Sequence, residues 1–287
     1  MKKKIILGIA ITIVVITIIV VGLVVFLNKQ TPSPDTPPTE DVLGVWWWDD
    51  ELDEEEYLTF AKSYGINEIY YSSSEFGTKT RDFINKAKSK GMKVYYLQGE
   101  YQWLDDSVKL HQKIGKYKEY QQAYPDSQFS GIHLDIEPHQ NPDFETNRTQ
   151  LLLKLISLAN ELSVTYQDIT FDYDIAFWLD DEITFNSVTK PAYQHMIDIA
   201  DRVFVMSYRD TAEKIKEKAI DELQYASSLD KIIILCVESS SSEGDKVSFM
   251  EEGRSAMITE LQKLKTELGN SIGLSIHHIK SFKDMAE

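Results

Sequence analysis

The sequence predicts an α/β fold, a (β/α)8 TIM barrel preceded by a single N-terminal transmembrane helix. Eight short segments rich in apolar, β-branched and aromatic residues alternate with longer amphipathic stretches from residue 42 onward. This alternation predicts a parallel sheet buried on both faces, and eight units in about 245 residues match the size of a closed barrel. A doubly wound open sheet is the competing architecture. It would normally carry a glycine-rich phosphate loop after an early strand, and "EFGTKT" has a single glycine.

An uncharged segment near the start of the chain predicts the transmembrane helix. Ile5 to Leu27 form a run of 23 residues whose only polar side chains are two threonines. At about 1.5 Å per residue, such a helix spans a hydrocarbon core of about 30 Å. The apolar region of a cleaved signal peptide is shorter, about 7–15 residues, and ends in a small-residue cleavage site that "FLNKQTPSP" does not offer. Because Lys2, Lys3 and Lys4 precede the run, we expect a cytoplasmic N-terminus and an extracellular barrel.

A proline-rich spacer follows this anchor. The segment "TPSPDTPP" is expected to be extended and semi-rigid, and so to hold the globular part away from the cell membrane. The predicted organisation is therefore a cytoplasmic N-terminus at 1–4, a signal anchor at 5–27, a linker at 28–41 and a TIM-barrel domain at 42–287.

Charge and cysteine content exclude several classes of partner. Once the four lysines and two acids of the first 40 residues are set aside, 26 basic and 44 acidic residues remain, a net charge of about −18. Such a surface repels nucleic acid and anionic lipid, which leaves a neutral or cationic ligand. The one cysteine, Cys236, lies in the apolar run "KIIILCVE" and is expected to be a small core residue.

The eight strands are predicted from short runs bounded by polar or turn residues. In chain order, they cover 42–48, 67–73, 92–98, 131–137, 169–178, 202–208, 231–238 and 271–278. The stretches between them have the 3.6-residue period of amphipathic helices. In "EEEYLTFAKSYG", for example, Leu58 and Ala61 share a face and Gly65 ends the pattern. The last helix, "KSFKDMAE", is short.

Polar side chains concentrate where these strands end. In a TIM barrel, functional groups lie at the C-terminal strand ends and in the loops that follow. The N-terminal ends of the same strands carry what read as ordinary loop residues. The candidates at the C-terminal ends are Trp46, Trp47, Trp48, Asp49, Glu75, Gln98, Glu100, Asp172, Asp174, Tyr208, Arg209, Asp210, Glu238, His277 and His278, together with the polar residues of the fourth strand.

The fourth strand, in "FSGIHLDIEPHQ", alternates strictly between apolar and ionisable residues. In a strand buried on both sides, the apolar set is expected to pack against the helices, so the ionisable set points into the barrel with Glu137 nearest the mouth. Two carboxyl groups on one face repel each other, so one is expected to keep its proton near neutral pH. The apolar set is Ile132, Leu134 and Ile136; the ionisable set is His133, Asp135, Glu137 and His139.

Two short motifs resemble glycoside hydrolase family 18, the chitinase-like enzymes. "SGIHLDIE" is similar to the family signature D-G-x-D-x-D-x-E on barrel strand four, matching at Gly131, Asp135 and Glu137. "FVMSYRD" resembles the strand-six motif M-x-Y-D, matching at Met206 and Tyr208. The chain departs from the family where Ser130 and His133 replace the first two Asp, where Asp210 follows one position late behind Arg209, and where strand eight lacks its usual closing Trp.

The resemblance implies a retaining, substrate-assisted glycoside hydrolase without a cofactor. Glu137 would protonate the glycosidic oxygen, Asp135 would orient a substrate N-acetyl group, and Tyr208 would bond the acetamido oxygen. If the substrate lacks an acetamido group, a second carboxylate is needed, and Asp174 and Glu238 are the candidates.

Further residues are expected to contact the glycan, which the outward-facing barrel would meet in the cell envelope. Trp47 or Trp48 is a candidate platform for a sugar ring. Asp172 and Asp174 could instead pair with His133 or Arg209, and Arg209 itself could hold a carboxylate or touch ligand. The remaining predicted substrate contacts are Gln98, His133, Asp174, Met206, Asp210, Glu238 and His277.

Two other classes of function stay open. A metal-dependent hydrolase could use His133, Asp135 and Glu137, with His139 and with His277 or His278 across the barrel, since these side chains suit first-row metals. A non-catalytic glycan-binding barrel would explain the loss of two motif Asp residues.

Overall fold

The computed structural model describes residues 41–49, 51–241, 244 and 246–287. The predicted anchor at 5–27 lies outside these residues, as does the predicted linker except for Asp41. Within the described residues, no helix is long and apolar enough to cross a membrane.

Eight parallel strands close into a barrel, which confirms the predicted barrel domain. Each predicted strand is present at the predicted place. The order around the barrel is β1-β10-β9-β8-β5-β4-β3-β2, so β1 lies opposite β5. The barrel strands are β1 (Leu43–Trp47), β2 (Glu68–Tyr71), β3 (Lys93–Gln98), β4 (Ile132–Leu134), β5 (Phe171–Ala176), β8 (Arg202–Met206), β9 (Ile233–Glu238) and β10 (Ile272–His277).

An antiparallel hairpin between β5 and β8 was not predicted. It consists of β6 (Glu182–Phe185) and β7 (Val188–Pro191). Asn186 and Ser187 connect the two strands with positive φ angles of 50° and 66°, as a tight hairpin turn of the I′ type requires. The hairpin lies outside the barrel sheet.

Helices surround the barrel, and their ends follow local sequence signals. Asp53 caps the first helix by accepting a hydrogen bond from the Glu56 amide, and Gly65 adopts φ 79° just beyond its end. The helices are α1 (Glu54–Ser63), α2 (Thr78–Ser89), α3 (Val108–Ala123), α4 (Phe144–Thr165), α5 (Ala192–Ile199), α6 (Ala212–Lys218), α7 (Ile220–Ser228), α8 (Arg254–Leu268) and α9 (Ile279–Asp284).

The core has two layers, and β4 divides its side chains between them as the alternation predicted. Ile132, Leu134 and Ile136 pack in the layer between strands and helices. His133 points inward and contacts the rings of Tyr70 and Phe204. The apolar residues of this inner layer are Val42, Trp46, Tyr70, Tyr95, Leu97, Phe204, Ile234 and Cys236, so the cysteine is a buried core residue as expected.

A buried ion cluster closes the N-terminal end of the barrel, where mostly ordinary loop residues were expected. Asp172, predicted among the candidates at the C-terminal ends, belongs to this cluster instead. Arg202, at the start of β8, bonds both oxygens of Asp172 at 2.9 and 2.6 Å and both oxygens of Glu68 at 3.0 and 2.9 Å. The Tyr70 hydroxyl also donates to Glu68, at 3.0 Å. Burial opposes ionisation of Asp172, but Arg202 and His133 outweigh it and lower the pKa of that carboxyl.

Candidate active site

The C-terminal mouth of the barrel holds a cavity of about 600 Å³. It collects side chains from the ends of β1, β4, β5, β8, β9 and β10, which is where a TIM barrel places functional groups. The lining residues are Trp48, Gly99, Asp135, Glu137, His139, Gln140, Ala176, Phe177, Trp178, Met206, Tyr208, Arg209, Glu238, Val247 and His277.

Glu137 lies at the edge of this cavity, directly after β4. Its side chain is 17% exposed, so it reaches solvent. One carboxylate oxygen accepts a hydrogen bond from the Gln140 amide, and the other lies 3.2 Å from Nε2 of His139. Both partners belong to the short 3-10 helix Pro138–Gln140. The chain thus fixes the Glu137 carboxyl at the cavity wall while leaving it accessible.

Asp135 lies deeper in the cavity than Glu137, and its Oδ1 atom is buried without a hydrogen-bond partner among the described residues. Burial raises its pKa well above the ordinary range, and the carboxylates of Asp174 and Glu137 raise it further. The expectation that the carboxyl pair keeps a proton near neutral pH therefore falls on Asp135. Gly99 permits this arrangement, because a Cβ there would lie 1.9 Å from the Asp135 carbonyl oxygen.

His133 and Asp174 form a bonded pair inside the barrel. The His133 Nε2 atom lies 2.6 Å from Asp174 Oδ2, and its Nδ1 atom lies 3.9 Å from Asp172 Oδ2. Burial alone would lower the pKa of His133, but the two carboxylates outweigh it and raise the pKa to about 9. His133 is fully buried and Asp174 only 3% exposed, and neither lines the cavity. Their predicted role as ligand contacts is therefore wrong.

Tyr208 and Met206 line the cavity as predicted. The ring of Tyr208 stacks on His277 with 6.2 Å between centroids. Burial, followed by nearby Cys236, Glu238 and acidic side chains, raises the pKa of the phenol well above its ordinary value. Tyr208 therefore keeps its O–H proton and can donate it to a ligand oxygen.

A chain of hydrogen bonds holds Trp48 at the cavity rim. The Trp48 indole N–H donates to His277 Nε2 at 3.0 Å, and His277 Nδ1 lies 2.7 Å from Glu238 Oε2. Because an indole can only donate, Nε2 must accept, so the proton is on Nδ1 and His277 is neutral. The other Glu238 oxygen accepts from the backbone amides of Ser239 and Ser240 at 2.7 and 2.6 Å.

Three other predicted contacts lie outside the cavity. Trp47 is 1% exposed and packs against Phe83 beneath the helices, which leaves Trp48, 37% exposed at the rim, as the accessible one of the two tryptophan candidates. Gln98 is buried, and its amide donates to the Leu97 carbonyl at 2.6 Å. Asp210 points away and pairs with Lys214 at 3.1 Å.

Arg209 reaches the cavity but does not hold a carboxylate within the described part of the chain. Its guanidinium lies 5.1 Å from the Phe177 ring centroid, and it donates to the carbonyl of Tyr208. Phe177 and Trp178 also line the cavity and were not singled out from the sequence. The sequence could have indicated both residues, because they are the last two of the predicted fifth strand "ITFDYDIAFW".

The ligand set proposed for a metal does not assemble. Among the described residues, no three His, Cys, Asp or Glu side chains are placed to hold a metal ion. His133 is turned into the barrel against Asp174, whereas Glu137 and His139 face the mouth. The described geometry therefore does not support the metal-dependent alternative.

Comparisons with known proteins find similarity in structure alone. No family model and no curated relative matches the chain. A chitinase from Bacteroides thetaiotaomicron superposes with a TM-score of 0.54 at 13% identity, covering 84% of this chain and 90% of that one. A family GH18 chitinase from Cycas revoluta, in complex with allosamidin, gives 0.51 at 12% identity, covering 85% and 96%. The glycoside hydrolase domain of PelA from Pseudomonas aeruginosa gives 0.48 at 8% identity, covering 84% and 96%.

The first two of these likenesses establish the fold. This chain has the barrel fold of these two chitinases, which is the fold that the resemblance of the two short motifs implied. At such identities, the role of each residue depends on the geometry of its own site.

Proposed function

We propose that this protein is a membrane-anchored extracellular glycoside hydrolase that cleaves an N-acetylated or related glycan, with Glu137 as the general acid. One observation carries the proposal: Asp135, Glu137 and Tyr208, three of the five residues matched by the two motifs, line one cavity that opens to solvent. They come from strand ends two positions apart in the barrel order, yet their side chains converge.

The chemistry follows from the roles that this geometry permits. The substrate acetamido oxygen attacks the anomeric carbon while the bond to the leaving oxygen breaks. Glu137, having first taken up the proton that buried Asp135 holds, gives that proton to the leaving oxygen. Asp135 holds the acetamido N–H, and the Tyr208 hydroxyl donates to the acetamido oxygen. Water then opens the cyclised sugar, so that the anomeric configuration is retained without a nucleophile from the enzyme.

The positions and bonds of Asp174 and Glu238 disfavour the alternative, in which one of these carboxylates acts as an enzyme nucleophile. Asp174 is bonded to His133 inside the barrel and does not line the cavity. Glu238 is 1% exposed and has both oxygens engaged, one by two backbone amides and the other by His277. Asp174 keeps an Oδ1 atom without a partner among the described residues but lies outside the cavity, and Glu238 lines the cavity with both oxygens engaged, so neither is placed as a nucleophile would be.

The cellular location in this proposal comes from the first 30 residues. The uncharged run at 5–27 is long enough to span the bilayer, and the three lysines before it favour a cytoplasmic N-terminus. The barrel would then meet glycans of the cell envelope.

The proposed mechanism requires an acetamido group on the substrate, and this requirement can be tested. The full-length protein in mild detergent is incubated with N-acetylglucosamine tetramer and, separately, with glucose tetramer, and the products are followed by proton NMR. Cleavage of the first alone, with the β-anomer formed first from the β-linked chain, is expected. Equal cleavage of both, or an inverted product, would contradict the substrate-assisted mechanism.

A glycan-binding barrel without turnover is the second candidate. The observation that favours it is the pair of replacements in the strand-four motif, Ser130 and His133. The same incubation separates the two functions, because a binding module would bind the tetramer in a calorimeter and release no product.

A further inference from the structure

Arg209 presents a positive charge to the cavity that no carboxylate of the described residues neutralises. It follows β8, is half-buried and lines the same cavity as Glu137. Its Nη1 atom donates to the carbonyl oxygen of Tyr208, whereas its Nε and Nη2 atoms make no hydrogen bond within the described part of the chain. The neighbouring acid, Asp210, pairs with Lys214 instead. The guanidinium therefore has donors available for a ligand.

A second cation approaches the same aromatic ring as Arg209. The Arg209 guanidinium lies 5.1 Å from the Phe177 ring centroid, and the Lys218 Nζ atom lies 5.5 Å from it. Lys218 ends α6 and also has no carboxylate partner among the residues that the structure describes. An aromatic ring attracts a cation but carries no net charge. The two positive charges at this edge of the cavity are therefore not neutralised by the ring between their partners.

The absence of a partner does not come from a shortage of acids. Acidic residues far outnumber basic ones in this chain. Cations elsewhere in the barrel domain do find carboxylates: Arg202 bonds Asp172 and Glu68, and Arg148 bonds Asp181. A guanidinium that stays unpaired in such surroundings, at the wall of an open cavity, indicates a binding site for an anionic group.

The acidic side chains of the cavity are themselves engaged elsewhere. Both oxygens of Glu238 are bonded, one by two backbone amides and the other by His277. Glu137 is held by two side chains of the short helix that follows it. Burial raises the pKa of Asp135 well above the ordinary range, so this carboxyl keeps its proton near neutral pH. The charge of Arg209 thus remains open to a ligand, at the side of the mouth where β5 and β8 end.

The shape and charge of the site favour a carboxylate. A planar guanidinium matches the two oxygens of a carboxylate with parallel N–H groups. A polymer with many phosphate groups suits the site less well, because the acidic surface around the cavity repels a highly charged chain. Arg209 follows Tyr208 directly and bonds its carbonyl oxygen. A carboxylate on Arg209 would therefore lie near the sugar whose acetamido group Tyr208 binds.

We propose that Arg209, supported by the charge of Lys218 on the Phe177 ring, selects an N-acetylated glycan that carries a carboxylate on the acetamido-bearing sugar or on the sugar next to it. The inference rests on the proposed function, since it names the substrate class of the same cavity. It departs from the expectation that the net charge of the domain gives, which is a neutral or cationic ligand.

Two pairs of probes test the carboxylate site. One probe is a tetramer of alternating N-acetylglucosamine and N-acetylmuramic acid, which has its carboxylates on N-acetylated sugars. The other is hyaluronan tetramer, which has them on the neighbouring sugars. Each is compared with its neutral carboxyl-reduced form by calorimetry, with the full-length protein in mild detergent carrying Glu137→Gln to prevent turnover. At least one acidic probe should bind about tenfold more tightly than its reduced form, and that pair identifies the sugar that bears the carboxylate.

Further substitutions in the same background assign this preference to Arg209. Arg209→Gln should bring the ratio of the two affinities to about one, and Arg209→Lys, which keeps the charge but loses the planar fork, should retain part of it. Lys218→Gln should reduce the ratio about twofold. Lys216→Gln is the matched control, because Lys216 lies on the same helix, already pairs with Glu267 and does not line the cavity. It should leave the ratio unchanged.

The outcomes separate this inference from the proposed function. If the acidic and reduced forms bind equally in both pairs, or if a preference for the acidic form survives Arg209→Gln, the carboxylate site is wrong while the proposed function stands. If the Glu137→Gln protein binds none of the four probes and no N-acetylglucosamine tetramer, the proposed function fails and the carboxylate site with it.

Discussion

The two ends of the barrel use buried charge differently. At the N-terminal end, Arg202 satisfies Asp172 and Glu68 with four hydrogen bonds. At the mouth, Asp135 has a buried oxygen without a partner, and Arg209 makes no ion pair among the described residues. An unsatisfied polar group costs stability, so a protein keeps one where a ligand or a reaction will use it.

His133 and Asp174 lie between these two ends and connect them. On the N-terminal side, Asp172 of the Arg202 cluster faces His133. On the side of the mouth, Asp174 contributes to the raised pKa of Asp135. Buried carboxyl groups of one barrel are thus paired with a cation at the N-terminal end, whereas Asp135 keeps an unpaired oxygen at the mouth, where the proposed chemistry would use it. Each of the following changes is expected to affect one end and spare the other.

The largest effect is expected at the mouth, from Glu137→Gln. The amide keeps the size of the side chain but cannot give a proton, so turnover of N-acetylglucosamine tetramer should fall at least about 100-fold. Binding of the tetramer should persist, as measured by calorimetry. Glu100→Gln is the matched control, because Glu100 is exposed after β3 and does not line the cavity. Full activity of the Glu137→Gln variant would show that Glu137 is not the general acid.

At the opposite end, Arg202→Met should cost stability. The change leaves Asp172 and Glu68 buried without their cation, and breaking a buried pair costs about 3–5 kcal/mol in the free energy of unfolding. Arg81→Met, which removes the exposed pair with Asp82, should cost less than about 1 kcal/mol. Urea unfolding of the full-length protein in mild detergent measures both. Equal losses in the free energy of unfolding would mean that the cluster around Arg202 contributes no more stability than an exposed ion pair.

The His133 pair predicts a pH dependence of stability. Its folded pKa of about 9 lies above the ordinary value of 6.5, so the protonated ring stabilises the fold fully below pH 6.5, and this contribution is lost as the pH rises through 9. The groups that face it are Asp172 and Asp174, with the rings of Tyr70, Trp46 and Phe204.

The matched variant for this dependence is His133→Asn, which cannot be protonated. The difference in the free energy of unfolding between the wild-type protein and this variant should shrink from about pH 6 to about pH 9.5. A constant difference across that range would show that His133 does not carry the charge assigned to it.

The smallest effect is expected at Trp48. Trp48→Ala should raise the KM for the tetramer about tenfold with little change in melting temperature, since the side chain is 37% exposed. Trp48→Phe keeps the ring but loses the N–H bond to His277, so its KM should fall between the two. An unchanged KM in both variants would exclude Trp48 as a platform.

The sequence correctly predicted the features that depend on the alternation of side chains along a strand. Ile132 and Leu134 face the helices and His133 faces inward because side chains alternate along a strand, and a one-residue shift would bury the wrong set. The same rule explains the tryptophans: Trp46 points inward, Trp47 points toward the helices, and Trp48 lies beyond the strand at the rim.

The features that the sequence could not predict depend on pairing between residues that lie far apart in the chain. Glu68 and Arg202 lie 134 residues apart, each at the start of its own strand, and neither strand indicates the other as a partner. The sequence left the pairing of His133 with Asp174 open as one alternative, because that pairing depends on the register of β4 against β5. The hairpin was missed because its turn is Asn186–Ser187, a weaker signal than Asn-Gly.

The central claim is that Asp135, Glu137 and Tyr208 act together on one bound sugar. A crystal of the Glu137→Gln protein soaked with N-acetylglucosamine tetramer tests it most directly. We expect a sugar across the mouth, with its acetamido group within hydrogen-bond distance of Asp135 and of the Tyr208 hydroxyl, and its glycosidic oxygen beside residue 137. A tetramer bound elsewhere on the barrel, or in the cavity with its acetamido group pointing away from both residues, would contradict it.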